Sequence, residues 1–190
     1  MFIKKIFNPF AFLSEKILLA IGLLGFIVLC SVSYCFKMAM DGIWHIGYAE
    51  GKTTFQIIFQ NALIAVVSIV SLGILAKIYN KKSRWIDIVN TVFVSFVPNI
   101  FVILISGLPY FNEASEKLVS MANNPNEIMN HKTELFIVLI SSFCIIPFAI
   151  YSVILLYNGF KTATNMKSWQ QISIFFILTF ILNLITQFSL

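Results

Sequence analysis

Five uninterrupted apolar runs, at residues 17–36, 55–79, 86–108, 135–157 and 172–190, are separated by short segments that gather the charged and amide side chains. A helix rises about 1.5 Å per residue and a hydrocarbon core is about 30 Å thick, so each run is long enough to cross a bilayer once. None shows the two-residue alternation of a strand with one face to lipid and one to a lumen, which argues against a β-barrel. The pattern predicts an all-α fold: a polytopic membrane helix bundle with five transmembrane helices. Residues 1–16 form a short cytoplasmic or interfacial segment, and residues 17–190 the transmembrane domain. Composition agrees, with 59% of residues apolar and 11% charged, less than half the charge of an ordinary soluble domain. The longest stretch between runs, 109–134, is too short to enclose a core of its own, so a separate catalytic or nucleic-acid-binding domain is excluded.

Charge sets the expected orientation. With the N-terminus inside, nine basic residues (Lys4, Lys5, Lys16, Lys77, Lys81, Lys82, Arg84, Lys161, Lys167) fall on the inner side and four (Lys37, Lys52, Lys117, Lys132) on the outer side. That bias predicts a cytoplasmic N-terminus and a C-terminus outside. Trp85 and Trp169 at the inner starts of spans, with Tyr79 and Tyr157 at inner ends, fit an interfacial aromatic belt. The N-terminal Lys4 and Lys5 before an apolar run resemble a signal peptide, but that run is longer than a signal core and follows Glu15, so a retained first span is expected.

Local signals add detail. Asn8-Pro9 predicts a short interfacial helix running through Lys16, with Lys4, Lys5 and Lys16 toward lipid phosphates. Asn112 is positioned to cap an outer helix in which Ala114, Leu118, Met121 and Ala122 recur on one face, ended by Asn123-Asn124-Pro125-Asn126. Tyr79-Asn80 with Ser83-Arg84-Trp85 is echoed by Tyr157-Asn158 with Lys167-Ser168-Trp169, with Tyr closing one span and Trp opening the next; interface chemistry alone selects these residues, which favours convergence over a duplicated pair of hairpins.

Candidate chemistry is concentrated in the third run. Asp87, Thr91, Ser95 and Asn99 recur every fourth residue beside Asn90, making one slowly winding polar stripe. Gln56, Gln60, Asn61, Thr179, Asn183, Thr186 and Gln187 offer matching faces on the second and fifth helices, through which the stripe is expected to hydrogen-bond. Read as function, the stripe is a path for a polar solute or ion; read as structure, it is interhelical hydrogen bonding. Asp87 lies one turn after Arg84, which makes an interfacial ion pair the expected role. Pro98 and Pro147 are candidate helix kinks, and Lys81, Lys82 and Arg84 are candidate contacts to anionic lipid. Cys30, Cys35 and Cys144, odd in number, read as small buried hydrophobes. Glu127, His131 and Glu134 make a poor zinc set on a solvated loop. No metal-protease helix, phosphate loop, paired-cysteine site or nucleophile elbow occurs, so neither an enzyme nor a cofactor is expected.

The Asn8-Pro9-Phe10 segment, the five spans and the sequence Tyr157-Asn158-Gly159-Phe160-Lys161-Thr162-Ala163-Thr164 together resemble the Yip1 family of integral membrane proteins, in particular its short bacterial members. In that family a proline followed by apolar residues lies in a middle helix, as Val97-Pro98-Asn99-Ile100 does here. A Gly with a small-residue segment joins the last two spans, as residues 159–164 would. Eukaryotic relatives imply vesicle trafficking with prenylated small GTPases through a long N-terminal region; only residues 1–16 precede the first span here, so small GTPase binding is not expected. The resulting expectation is a non-enzymatic Yip1-like protein of the bacterial cytoplasmic membrane, a scaffold or accessory subunit whose partners are lipids and other integral membrane proteins or itself. The second reading is a small transporter or channel component for a polar solute or ion.

Overall fold

The computed structural model describes residues 2–121 and 129–189. In chain order it contains α1 (Phe2–Phe7), a 3₁₀ turn (Pro9–Ala11), α2 (Glu15–Phe36), β1 (Met38–Met40), β2 (Ile46–Tyr48), α3 (Thr54–Tyr79), α4 (Trp85–Phe96), α5 (Asn99–Ser106), α6 (Pro109–Ser120), α7 (Lys132–Thr164) and α8 (Trp169–Ser189). Five helical stretches are long and apolar enough to cross a membrane: α2, α3, α4 with α5 (Trp85–Ser106), α7 and α8. The all-α membrane bundle expected from the apolar runs is the architecture found. One end of the bundle carries Arg84 and the lysines of the α3–α4 and α7–α8 connections and is the basic end; the other is the hairpin end.

Helix boundaries follow capping chemistry. Thr53 begins α3 with a capping box: its hydroxyl accepts from the Gln56 amide at 3.3 Å, and Gln56 Oε1 accepts from the Thr53 amide at 2.7 Å. Ser168 and Gln171 repeat it at α8, where Ser168 Oγ accepts the Gln171 amide at 3.3 Å. Both boxes satisfy amides that have no partner within the first turn. α7 stops at Asn165, whose φ of 55° is left-handed, a conformation asparagine tolerates better than most residues.

The third span is broken in its middle. Pro98 has no N–H to give the Val94 carbonyl, and the chain tightens into three-residue bonds, from the Val97 amide to Val94 (3.2 Å), Ile100 to Val97 (3.2 Å) and Phe101 to Pro98 (3.0 Å). α4 ends and α5 begins there. Pro147 lies within α7, which continues through it.

α4 is the central element, packed on α2, α3 and α7, while α5 packs on α2 and α7, and α6 on α7. Leu29, Leu72, Val92, Phe96, Phe160 and Phe175 are buried in one core. Stacked rings of Phe160 and Phe175, 4.8 Å apart, join α7 to α8. Since lipid is as apolar as these side chains, close packing rather than exclusion from water holds the helices together.

Several local expectations are corrected. The N-terminal helix ends at Phe7 and a 3₁₀ turn follows, so no helix runs from Asn8 to Lys16, and the Asn8 side chain makes no cap. The segment is tied to α7 by Tyr151 OH donating to the Ile6 carbonyl (3.0 Å) and Asn158 Nδ2 donating to Phe7 (2.8 Å). α6 starts at Pro109, which suits a first helical position, so Asn112 lies inside the helix and accepts from the Tyr48 hydroxyl instead of capping. Ala122, the Asn123–Asn126 stop and Glu127 lie outside the described residues. Tyr157 does not close its span, because α7 runs on to Thr164; residues 159–164 are helix, and the echo with Tyr79 does not extend to structure. Cys35 and Cys144 are exposed on the outside of the bundle rather than buried, and Cys30 is half-buried.

The pattern of residues 37–53 predicts only a connection between the first two spans. The segment folds as a two-stranded antiparallel hairpin, Met38 opposite Tyr48 and Met40 opposite Ile46. Met38, Ala39, Met40 and Ile43 are buried between the helices. The hairpin is thus a plug in one end of the bundle.

Candidate functional site

At the basic end, the starts of α2 and α4 and the last turns of α7 surround a polar cleft of about 250 Å³. Its acidic and basic groups come from helix starts: Glu15 is the first residue of α2, Arg84 the residue before α4, and Asp87 lies in the first turn of α4. An acid in the first turn is favoured by the positive end of the helix. Arg84 pairs with both acids, NH2 to Asp87 Oδ1 at 2.7 Å and NH1 to Glu15 Oε2 at 2.7 Å, with Nε to Asp87 Oδ2 at 3.1 Å. Hydrogen bonding by Asp87, then the charges of Asp87 and Glu15, raise the guanidinium pKa above its ordinary value.

Below these charges lies Asn90, 2% exposed. Its Nδ2 donates to the Glu15 carbonyl at 3.3 Å, joining α4 to α2, while its Oδ1 is buried without a partner. The wall opposite is α7, where Gly159 allows a close approach: a Cβ there would meet Thr91 Oγ1 at 2.6 Å and the Phe10 ring at 2.9 Å. Behind the cleft, Ser83 Oγ donates to Ala163 O (3.0 Å) and Tyr79 OH to Gln171 O (2.8 Å), fastening the two basic connections to each other.

The rest of the stripe turns inward. Thr91 Oγ1 donates to Asp87 O (2.7 Å) and Ser95 Oγ to Val92 O (2.8 Å), both within α4; Ser152 Oγ on α7 donates to Ser95 O at 2.7 Å. Asn99 is buried with its Nδ2 unpartnered. Pro98 is buried at the break and Pro147 exposed on α7. Lys81 and Lys82 are exposed beside the cleft, while Arg84 is shared between two carboxylates.

The matching faces expected on the second and fifth helices do not meet the stripe. Asn61 Oδ1 accepts the Met40 amide at 2.8 Å and Asn183 Oδ1 accepts the Trp44 amide at 3.1 Å. Gln187 approaches His45 at 3.5 Å, and His45 in turn contacts Asp41 at 2.6 Å. These side chains seat the hairpin plug, and Gly42 is needed under Asn183, whose Oδ1 would lie 2.2 Å from a Cβ there. Ser152, Tyr151 and Asn158 fasten α7 to α4 and to the N-terminal segment; Tyr151 and Ser152 have apolar four-residue neighbours on α7, so no polar periodicity marks them, and the Tyr157-Asn158 motif does not reveal the bond from Asn158 to Phe7.

A family model described as Yip1 domain matches residues 6–190. No curated protein and no solved structure matches the chain. The matched region takes in all five spans, the broken third helix and every residue of the cleft, and on that basis the chain belongs to the Yip1 family of integral membrane proteins.

Proposed function

We propose that this protein is a non-enzymatic scaffold or accessory subunit of the bacterial cytoplasmic membrane, acting by helix association with other integral membrane proteins or with a second copy of itself. The observation that carries the reading is Pro147. It sits on an exposed face of α7 with Phe136, Leu139, Phe143, Ile146 and Ile150. Lacking an N–H, it leaves the Phe143 carbonyl without its helical donor, in a region where lipid offers none. A hydroxyl or amide from a neighbouring transmembrane helix satisfies that carbonyl. The buried, self-bonded stripe supports the same reading, since its hydroxyls are already engaged by helix backbone. Lys81 and Lys82 serve as contacts for anionic lipid, at about 1 kcal/mol each near the surface.

A photo-crosslinking residue in place of Phe143 is expected to form a discrete protein adduct in intact membranes. The same residue in place of Leu24, exposed on α2, is expected to label lipid alone. If purified protein in liposomes instead carries a polar solute or ion, and Asp87→Asn folds normally but abolishes that flux, the scaffold reading fails and the transporter reading replaces it.

A further inference from the structure

The polar cleft does not stop at Asn90. An apolar groove of about 210 Å³, lined by Ile21, Val94, Val97, Tyr151 and Leu155, lies directly beyond it, and Leu18 lines both. The helix register makes the two continuous. From cleft to groove the wall residues step inward as 15, 18 and 21 on α2, as 87, 90 and 94 on α4 and 97 just after it, and as 162, 159, 155 and 151 on α7. The seven-residue step from Asn90 to Val97 covers about 10 Å along the helix axis at about 1.5 Å per residue. The N-terminal segment lies across both, with Phe10 and Leu13 at the cleft and Lys5, Ile6 and Pro9 at the groove. A polar end at the membrane surface leading into an apolar channel toward its middle has the shape of one lipid.

The charge of the cleft specifies the headgroup. Among the residues that line the cleft, Arg84 faces both Glu15 and Asp87, so the lining itself carries one net negative charge. The Asn90 amide has a determined orientation, because its other contact is the Glu15 carbonyl, which only accepts. Its buried Oδ1 therefore needs a donor. An excess anion beside an unfilled acceptor calls for a cation that carries N–H groups. A primary ammonium has both; a trimethylammonium has the charge without the donors, and a glycerol headgroup has donors without the charge.

We propose that cleft and groove form one site for a phosphatidylethanolamine molecule, its ammonium among Glu15, Asp87 and Asn90 Oδ1, and an acyl chain along α2, α4 and α7. Lys5, at the groove, offers a cation to the phosphate. The site depends on the arrangement of the spans and of the N-terminal segment, and stands or falls separately from the scaffold reading.

The test uses the full chain in mild detergent, offered equal amounts of phosphatidylethanolamine, phosphatidylcholine and phosphatidylglycerol with identical acyl chains, with retention read by native mass spectrometry. Phosphatidylethanolamine is expected to be retained about tenfold over either competitor, the factor that one charge-assisted hydrogen bond supplies. The double variant Glu15→Gln with Asp87→Asn is expected to lose that preference while still retaining phosphatidylcholine. Ile21→Trp, on the exposed rim of the groove, is expected to lose retention of the lipid. Equal retention of the ethanolamine and choline lipids by the wild-type chain overturns the proposal without any variant having to fold. So does occupation of the cleft by soluble ethanolamine with no ethanolamine lipid retained, which would make the ligand a free amine.

Discussion

Ser152 and Asn99 are both polar, both buried and both at the centre of the bundle, yet they are worth different things. Ser152 completes a bond between helices, to the Ser95 carbonyl at 2.7 Å. Asn99 has carried its amide nitrogen out of water and found nothing for it. An interhelical hydrogen bond in a membrane is worth about 0.6 kcal/mol on average and up to about 1.7 kcal/mol, whereas removing a buried unpaired donor in favour of an apolar group of similar size is close to neutral. Ser152→Ala is therefore expected to lower unfolding stability, measured by titration with a denaturing detergent, by about 0.6 to 1.7 kcal/mol. Asn99→Leu is expected to change it by less. This reverses the expectation from sequence, in which Asn99 at the deep end of a polar stripe had a bonding partner. A larger loss from Asn99→Leu would restore that expectation.

At the scale of elements, the hairpin plug explains why α3 and α8 carry amides so deep in apolar sequence. Two backbone amides of the plug, Met40 and Trp44, are buried or half-buried away from water and would otherwise lack acceptors; Asn61 and Asn183 supply them from two different helices. Leaving a buried amide unsatisfied costs about 1 to 3 kcal/mol. Asn61→Leu is expected to remove hydrogen-exchange protection at Met40 while α4 remains protected, because the plug opens locally without unfolding the bundle. Asn183→Leu is expected to do the same at Trp44. Unchanged protection in both variants would show that strand pairing alone holds the plug. The pattern of polar positions aims these amides at the α4 stripe. They lie toward the hairpin end of α3 and α8, where they accept the Met40 and Trp44 amides, while Asp87, Asn90 and Thr91 lie in the first turns of α4 at the basic end.

For the whole molecule, the prediction concerns orientation. Among the described residues, the basic end gathers nine Lys and Arg against Glu15 and Asp87, while the hairpin end holds four lysines with Asp41, Glu50, Glu113, Glu116 and Glu134. The bundle should insert with the basic end in the cytoplasm. Ser83 is buried against Ala163 and is a poor reporter, so exposed Lys82 and Glu113 are the positions to use. In a chain without its native cysteines, Glu113→Cys is expected to react with an impermeant maleimide in intact cells. Lys82→Cys is expected to react only after permeabilisation. The opposite pattern would invert the topology.

Sequence by itself determined the five spans, the family and the pairing of Arg84 with Asp87, while the caps it offered at Asn8 and Asn112 were not the ones used. Apolar runs of bilayer length, capping residues such as Thr53 and Ser168, and prolines act through neighbours a turn away, and those neighbours are adjacent in the chain. The Arg84–Asp87 pair is of this kind, three residues apart on one helix end. Tertiary structure decided the rest. The meeting of Glu15 with Arg84, the seating of residues 37–53 by Asn61 and Asn183, and the joining of cleft and groove across α2, α4 and α7 all depend on how helices rotate about their axes and which neighbours they choose. Periodicity gives a residue's height and face on its own helix. The partner of that face is set by packing between segments far apart in sequence, where small changes in rotation exchange one neighbour for another.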